Sequence, residues 1–265
     1  MPAHTWKLVA VFALLASWSV ATADEGPGPI ETDRPDLTNG VKTVPPGAVQ
    51  IETGVAYARR SIAASEAERR LAIEATLRVG LTDRLEVRLD GEPLVRLRGD
   101  GDDTGSGDVA VGLKYRFADS REGRWVPGVG AQPFVKLPVA RAPIGSEKPD
   151  FGLVALASFD LPWDIGLDVN AGVAAVGQSS PSGYLLQALA SASLGRAVTE
   201  RLSGLVEVFF ASRDQREARD RAGLTAGVVY RMAWRIALDA AVVTSLAGPV
   251  PDYTLRAGVS IRLGR

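Results

Sequence analysis

Between Tyr253 and Leu263 every second side chain is apolar and the ones between are polar. Tyr253, Leu255, Ala257, Val259, Ile261 and Leu263 fall on one side; Thr254, Arg256, Gly258, Ser260 and Arg262 fall on the other. A period of two is the period of a β-strand, whose successive side chains leave opposite faces. The pattern recurs along most of the chain, and no helical stretch is present in the sequence to cover the apolar faces.

Twelve such segments follow one another: Ala48–Arg59, Arg70–Leu81, Arg84–Leu97, Asp108–Phe117, Trp125–Val139, Phe151–Leu161, Ile165–Val176, Tyr184–Leu194, Leu202–Ser212, Ala222–Arg231, Arg235–Ser245 and Tyr253–Leu263. The fifth is the weakest, because it contains Pro127, Pro133 and Pro138, and proline cannot donate to a ladder. The connections alternate in length. Thr82–Arg84, Pro162–Asp164, Thr199–Arg201 and Met232–Trp234 are short, and Ala118–Arg124 is somewhat longer. The opposite set is mostly longer and polar, at Arg60–Arg69, Arg98–Gly107, Ala140–Asp150, Gly177–Gly183, Arg213–Arg221 and Ala247–Asp252.

One face of these strands carries Glu52, Glu74, Arg78, Glu86, Arg88, Asp90, Lys114, Arg116, Asp168, Glu207, Arg231, Arg235, Asp239, Arg256 and Arg262. Charges in that number do not fit the dry core of a sandwich. They suit a wet lumen, with the apolar face turned to lipid, where a Lys or Arg at the midplane costs about 2–4 kcal/mol. A bilayer also forbids unpaired backbone, so spanning strands must close on themselves. The expectation is an all-β, transmembrane, antiparallel up-and-down barrel of about 12 strands, with short periplasmic turns and longer extracellular loops. An inverted barrel around an apolar ligand shares the periodicity, but twelve strands would enclose a large apolar void. Tyr57, Tyr115, Phe117, Trp125, Phe159, Trp163, Tyr230, Trp234 and Tyr253 lie near strand ends, as interfacial aromatics do.

Lys7, an apolar run from Leu8 to Leu15 and the tripeptide Ala21-Thr22-Ala23 read as residues 1–23 of a signal peptide cleaved near Ala23. Cleavage removes one base and no acid, leaving 29 basic and 31 acidic residues and a net charge of −2. It also removes His4, the only histidine, and the chain has no cysteine. Histidine-dependent triads, thiolate chemistry and the usual zinc ligands are thereby excluded, and an enzyme is not expected. The near-balanced charge gives no reason to expect a nucleic-acid partner. Residues 24–46, rich in Pro, Gly and Asp, are expected to form a periplasmic N-terminal arm, with a plug folded into the lumen as the other reading; residues 47–265 are the barrel.

The run from Asp100 through Asp102, Asp103 and Asp108 has the spacing of a weak Ca²⁺ candidate, but lacks the bidentate Glu of an EF-hand. No cofactor is expected. Cross-strand pairing of Glu52, Glu74, Glu86, Arg78 and Arg88 is the ordinary reading of those charges.

Several stretches carry a resemblance: Glu31-Thr32-Asp33-Arg34-Pro35-Asp36, Val44-Pro45-Pro46-Gly47, Gln50-Ile51-Glu52-Thr53-Gly54, Gly107-Asp108 and Gly112-Leu113-Lys114-Tyr115-Arg116-Phe117. The surroundings of Glu207, Asp239 and Gly258 add to it. The mature chain resembles the outer-membrane transporter family of the MetA pathway of phenol degradation. The resemblance implies a barrel in the outer membrane of a Gram-negative bacterium, in contact with its lipid, and a channel for small organic, including aromatic, solutes. Arg256, Gly258, Ile261 and Leu263 are similar in spacing to the signal read by the barrel-insertion machinery. A closed structural or adhesive barrel, its lumen filled by ion pairs, is the competing reading.

Overall fold

The computed structural model describes residues 28–63, 66–99, 101–121 and 125–264. The signal segment, with its cleavage site at Ala23, lies outside the described residues. Thirteen strands follow in order: β1 (Val49–Ala63), β2 (Glu66–Thr82), β3 (Leu85–Arg98), β4 (Asp103–Gly105), β5 (Val109–Ala118), β6 (Gly128–Leu137), β7 (Asp150–Leu161), β8 (Ile165–Gln178), β9 (Gly183–Ala197), β10 (Leu202–Ala211), β11 (Arg221–Ala233), β12 (Ile236–Ala247) and β13 (Tyr253–Leu263). All of the strand pairings are antiparallel. β4 is a short flap paired only to β3, by Val95↔Gly105 to Leu97↔Asp103. The other twelve form a closed ring, because β1 pairs with β13 from Val49↔Leu263 to Arg59↔Tyr253 as well as with β2. Closure removes the exposed edges that a bilayer would not tolerate.

The two faces sort as the alternation requires. Arg78, Lys114, Gln50, Glu52, Glu86 and Glu207 are the largest side chains sealed from the surface. Val55, Leu71, Leu113, Leu153, Val173, Val206, Val228, Val242 and Leu255 are exposed. This inverts a soluble protein: the apolar band is outside and the polar groups are within. Tyr57 packs on Tyr253 and Phe151 on Tyr184 toward the long-loop end, while Tyr115 packs on Phe117 toward the short-turn end. Val206, half-exposed in the middle of β10, faces the lipid side. A Val206→Arg barrel is expected to lose about 2–4 kcal/mol of stability, read as a lower temperature for losing the folded band on an unboiled gel.

Three details depart from the expected boundaries. The Arg60–Arg69 loop is mostly ladder, with Arg60↔Glu68 and Ser61↔Ala67 paired, so β1 and β2 stand taller than predicted. The Arg98–Gly107 loop folds back as β4. β6 forms despite Pro133, and starts at Gly128 rather than Trp125. The β5–β6 pairing passes from Gly112↔Phe134 to Tyr115↔Ala131 with the two intervening pairs missing but the register in step. Pro133 lacks the N–H that would have joined them.

Candidate functional site

An irregular segment buried inside a barrel has no neighbouring strand to satisfy its amides, so the wall must do so. Residues 28–47 are such a segment. Ile30 N donates to Trp234 O at the short-turn rim (2.7 Å), and Gly47 N donates to Gly80 O at the same rim (2.9 Å). Between these points the chain climbs to mid-barrel and returns. Leu37 N and Thr38 N donate to Glu207 Oε1 (2.9 and 2.7 Å), Asn39 N to Asn170 Oδ1 (2.8 Å), Val41 N to Ser158 Oγ (3.0 Å) and Val44 N to Glu86 Oε2 (2.7 Å). Asp33 N and Arg34 N donate to Glu52. The expected periplasmic arm is therefore corrected for residues 28–46: they lie in the lumen. The reason is that inward carboxylates and amides offer acceptors that replace water.

Two ion clusters fasten the arm. Asp33 Oδ2 meets Lys114 Nζ at 2.7 Å, Arg78 at 3.3 Å and also Arg88. Arg78 in turn holds Glu52 and Glu86, each at 2.9 Å. Burial alone would raise the Asp33 carboxyl, but Arg78, Lys114 and Arg88 hold it well below the usual carboxylate range. Next to it, Arg34 binds Glu74 (2.7 Å) and Asp239 (3.3 Å), while Arg256 binds Glu74 (3.3 Å) and donates to Pro35 O (2.9 Å). Space for Arg34 comes from Gly54 and Gly258, which face each other across β1 and β13. A Cβ at either position would come within 2.4 or 2.7 Å of the guanidinium.

Of the fifteen charged positions predicted for the lumen, ten bond the arm: Glu52, Glu74, Arg78, Glu86, Arg88, Lys114, Glu207, Asp239, Arg256 and Arg262. The other five do not share in this. Asp90 pairs with Arg88 and accepts from Thr76; Asp168 accepts from Ser158 beside Gly40. Arg116 pairs with Asp119, Arg231 donates to Glu200 O, and Arg235 lies 4.2 Å over the Trp234 ring, all near the short-turn rim.

The Ca²⁺ candidates do not converge. Asp102 pairs with Arg98, Asp103 accepts from Thr104 N, and Asp108 accepts from Ala140 N and Ser146 N; Asp100 lies outside the described residues. Among the described residues no group of three acids or other metal ligands comes together.

Two features were not foreseen. Arm residues Asp33, Arg34 and Thr38 belong to the site, although the arm has no periodicity to mark them. The lumen also holds apolar side chains among the charged ones: Phe134 against Gly152, Phe209 against Gly223, and the buried Leu156 and Val243. A cavity of about 700 Å³ lies between the arm and the wall and is lined by Asp36, Ser158, Asp160, Asp168 and Ser193 among others.

Asp36 faces acids. Burial pushes its carboxyl up to about 7, and Glu207 and Asp168 add to this against a hydrogen bond with Ser193. A raised value means the docked arm holds a proton that the free arm gives up. Docking is then strongest below the free value near pH 4 and weakens as pH rises through about 7, by at most about 1.4 kcal/mol per unit and less where lumen water screens it. Conductance is expected to rise over that window, and Asp36→Asn is expected to flatten the profile.

The described barrel superposes on solved outer-membrane barrels. An outer membrane channel from Pseudomonas putida F1 matches with a TM-score of 0.69 at 15% identity, over 86% of this chain and 100% of that one. The NanC porin matches with a TM-score of 0.53 at 12% identity, over 81% of this chain and 100% of that one. The KdgM porin, solved with oligogalacturonate, matches at 0.52 and 6% identity, over 82% and 99%. At these identities the likeness establishes the fold. No curated protein matches the sequence. The family model described as "Putative MetA-pathway of phenol degradation" matches residues 32–263, nearly the whole described chain, and the protein belongs to that family.

Proposed function

We propose that the protein is an outer-membrane channel for small organic molecules, shut by its own arm and opened when the arm moves. The observation that carries this is how the arm is held. Residues 31–43 cross the lumen through side-chain hydrogen bonds and ion pairs, without a ladder to either neighbouring strand among the described residues. Such a fastening releases in steps, whereas a strand would have to unzip. The charged side chains of the lumen and the apolar ones of Phe134, Leu156, Phe209 and Val243 together suit solutes with a polar group on an apolar body. Non-enzymatic passage, arrival by a cleaved signal peptide and insertion through Arg256, Gly258, Ile261 and Leu263 complete this reading. On β13, Arg256 and Gly258 also serve the arm, while Ile261 faces outward.

The competing reading is a permanently closed structural barrel, which the dense ion pairing favours. A cross-link separates the two. A Cβ at Gly128 would lie 2.9 Å from Val41 Cγ2, close to the span of a disulfide, and equally near Ser120 N, so the backbone at Ser120 must shift slightly to admit the cysteine; the chain has no cysteine of its own. The Val41→Cys/Gly128→Cys protein is expected to conduct in planar bilayers when reduced and to fall silent when oxidised. Conductance that ignores the cross-link removes the arm as the gate.

A further inference from the structure

Three cations converge on one oxygen of Asp33, and the wall supplies all three: Arg78 from β2, Arg88 from β3 and Lys114 from β5. Their side chains are 1%, 5% and 0% exposed. The carboxylate they hold comes from the arm. When the arm leaves, Arg78 keeps Glu52 and Glu86, and Arg88 keeps Asp90. Lys114 loses both Asp33 and Gly40 O, which accepts from it at 3.0 Å, and is left with Glu86 at 3.8 Å. With the arm gone, water reaches the ammonium, but its nearest wall acid, Glu86, is beyond hydrogen-bond distance. The wall thus leaves Lys114 without a close carboxylate, and an incoming anion can take the place that Asp33 holds.

The surroundings narrow the anion further. Glu52 and Glu86 flank the site, so a single negative charge is accepted more readily than a double one. Gly112, one same-face step from Lys114 on β5, stands opposite Phe134 of β6. An apolar body attached to the carboxylate would meet that ring. From this we infer that Arg78, Arg88 and Lys114 form a binding site for small monocarboxylic organic acids, which Asp33 occupies as an internal stand-in, and that such an acid opens the channel by taking the place of Asp33. The inference rests on the arm being the gate. It adds that the solute itself is the key, through competition for one site.

The test reads the position of the arm directly. Val41 is 3% exposed, so a Val41→Cys protein in detergent or liposomes is labelled slowly by a charged thiol reagent while the arm is docked. Millimolar benzoate is expected to speed labelling several-fold. Benzyl alcohol and benzylamine at the same concentration, which lack the carboxylate, are expected to leave it unchanged. Asp33→Asn in the same background is expected to label fast without any additive, to gain nothing from benzoate, and to bind benzoate more tightly by calorimetry because the internal competitor is gone. Fast labelling of Asp33→Asn with no response of the Val41→Cys protein to benzoate overturns the carboxylate site and leaves the gate standing. Slow labelling of both, in protein that still shows the heat-shifted folded band, overturns the gate reading itself.

Discussion

Arg78→Met is expected to raise channel conductance by about tenfold or more and to lower the temperature at which the barrel loses its folded gel mobility. Arg78 is the hub of the lumen: its guanidinium holds Glu52 and Glu86 at 2.9 Å and Asp33 at 3.3 Å. Removing it leaves Glu52 without a cation among the described residues, leaves Glu86 only Arg88 and Lys114 at 3.7 and 3.8 Å, and takes from Asp33 one of its three cations. Breaking a buried pair by deleting one partner costs about 3–5 kcal/mol, because the remaining charge is left uncompensated. That cost divides between two events. The wall acids remain whatever the arm does, so their share weakens the barrel. The Asp33 share is relieved when the arm undocks, so it shifts the closed-to-open balance, about tenfold for each 1.4 kcal/mol. Asp33→Asn separates the shares, since it frees the arm while leaving Arg78 between Glu52 and Glu86. It should open the channel with little change in the gel temperature. A barrel that loses stability in Arg78→Met while its conductance stays flat is the closed structural barrel instead.

The ring of strands was legible because its cause is local. Lipid outside and water inside impose a two-residue alternation on every stave, as in Leu113, Lys114 and Tyr115, and a window of ten residues suffices to see it. The fifteen charges could be assigned to the inward face on the same ground. Their partners could not. Arg34 meets Asp239 across 205 positions of sequence, and Leu37 meets Glu207 across 170. The arm has no period because neither of its sides faces lipid, so its Pro-rich composition reads as an ordinary exposed terminus. One signal was available: Asp33 and Arg34 stand side by side in the arm, and the wall carries more inward charge than an open pore requires. Strand ends were misjudged for another reason. Above the bilayer the lipid constraint stops, so β1 and β2 continue as a polar ladder through Arg60↔Glu68 without a change in alternation. Pro133 weakens the fifth predicted strand, β6, as expected, because one missing donor interrupts two pairs without ending the strand.

Glu207 separates charge from hydrogen bonding at the top of the arm. It is fully buried, and its carboxylate takes four hydrogen bonds: from Leu37 N, Thr38 N and Thr38 Oγ1 on one oxygen, and from Thr225 Oγ1 at 2.7 Å on the other. No cation lies within ion-pair distance among the described residues, so what it contributes is acceptance. Glu207→Ala removes the acceptor and leaves the Leu37 and Thr38 amides without partners, while the Thr38 hydroxyl keeps Ser191 Oγ at 2.8 Å; the loss is about 1–3 kcal/mol for each amide if water does not replace it. Conductance is expected to rise by about tenfold or more as the apex lifts. Glu207→Gln keeps Oε1 facing the arm, and the Thr225 hydroxyl can turn to accept from the new amide. Its conductance is expected to stay near that of the wild type. If Gln opened the channel as fully as Ala, the negative charge itself would be holding the arm, and fastening by backbone donors would be the wrong account of how the lumen stays shut. Ala and Gln both matching the wild type would place the hold elsewhere, at Asp33 and Arg34 alone.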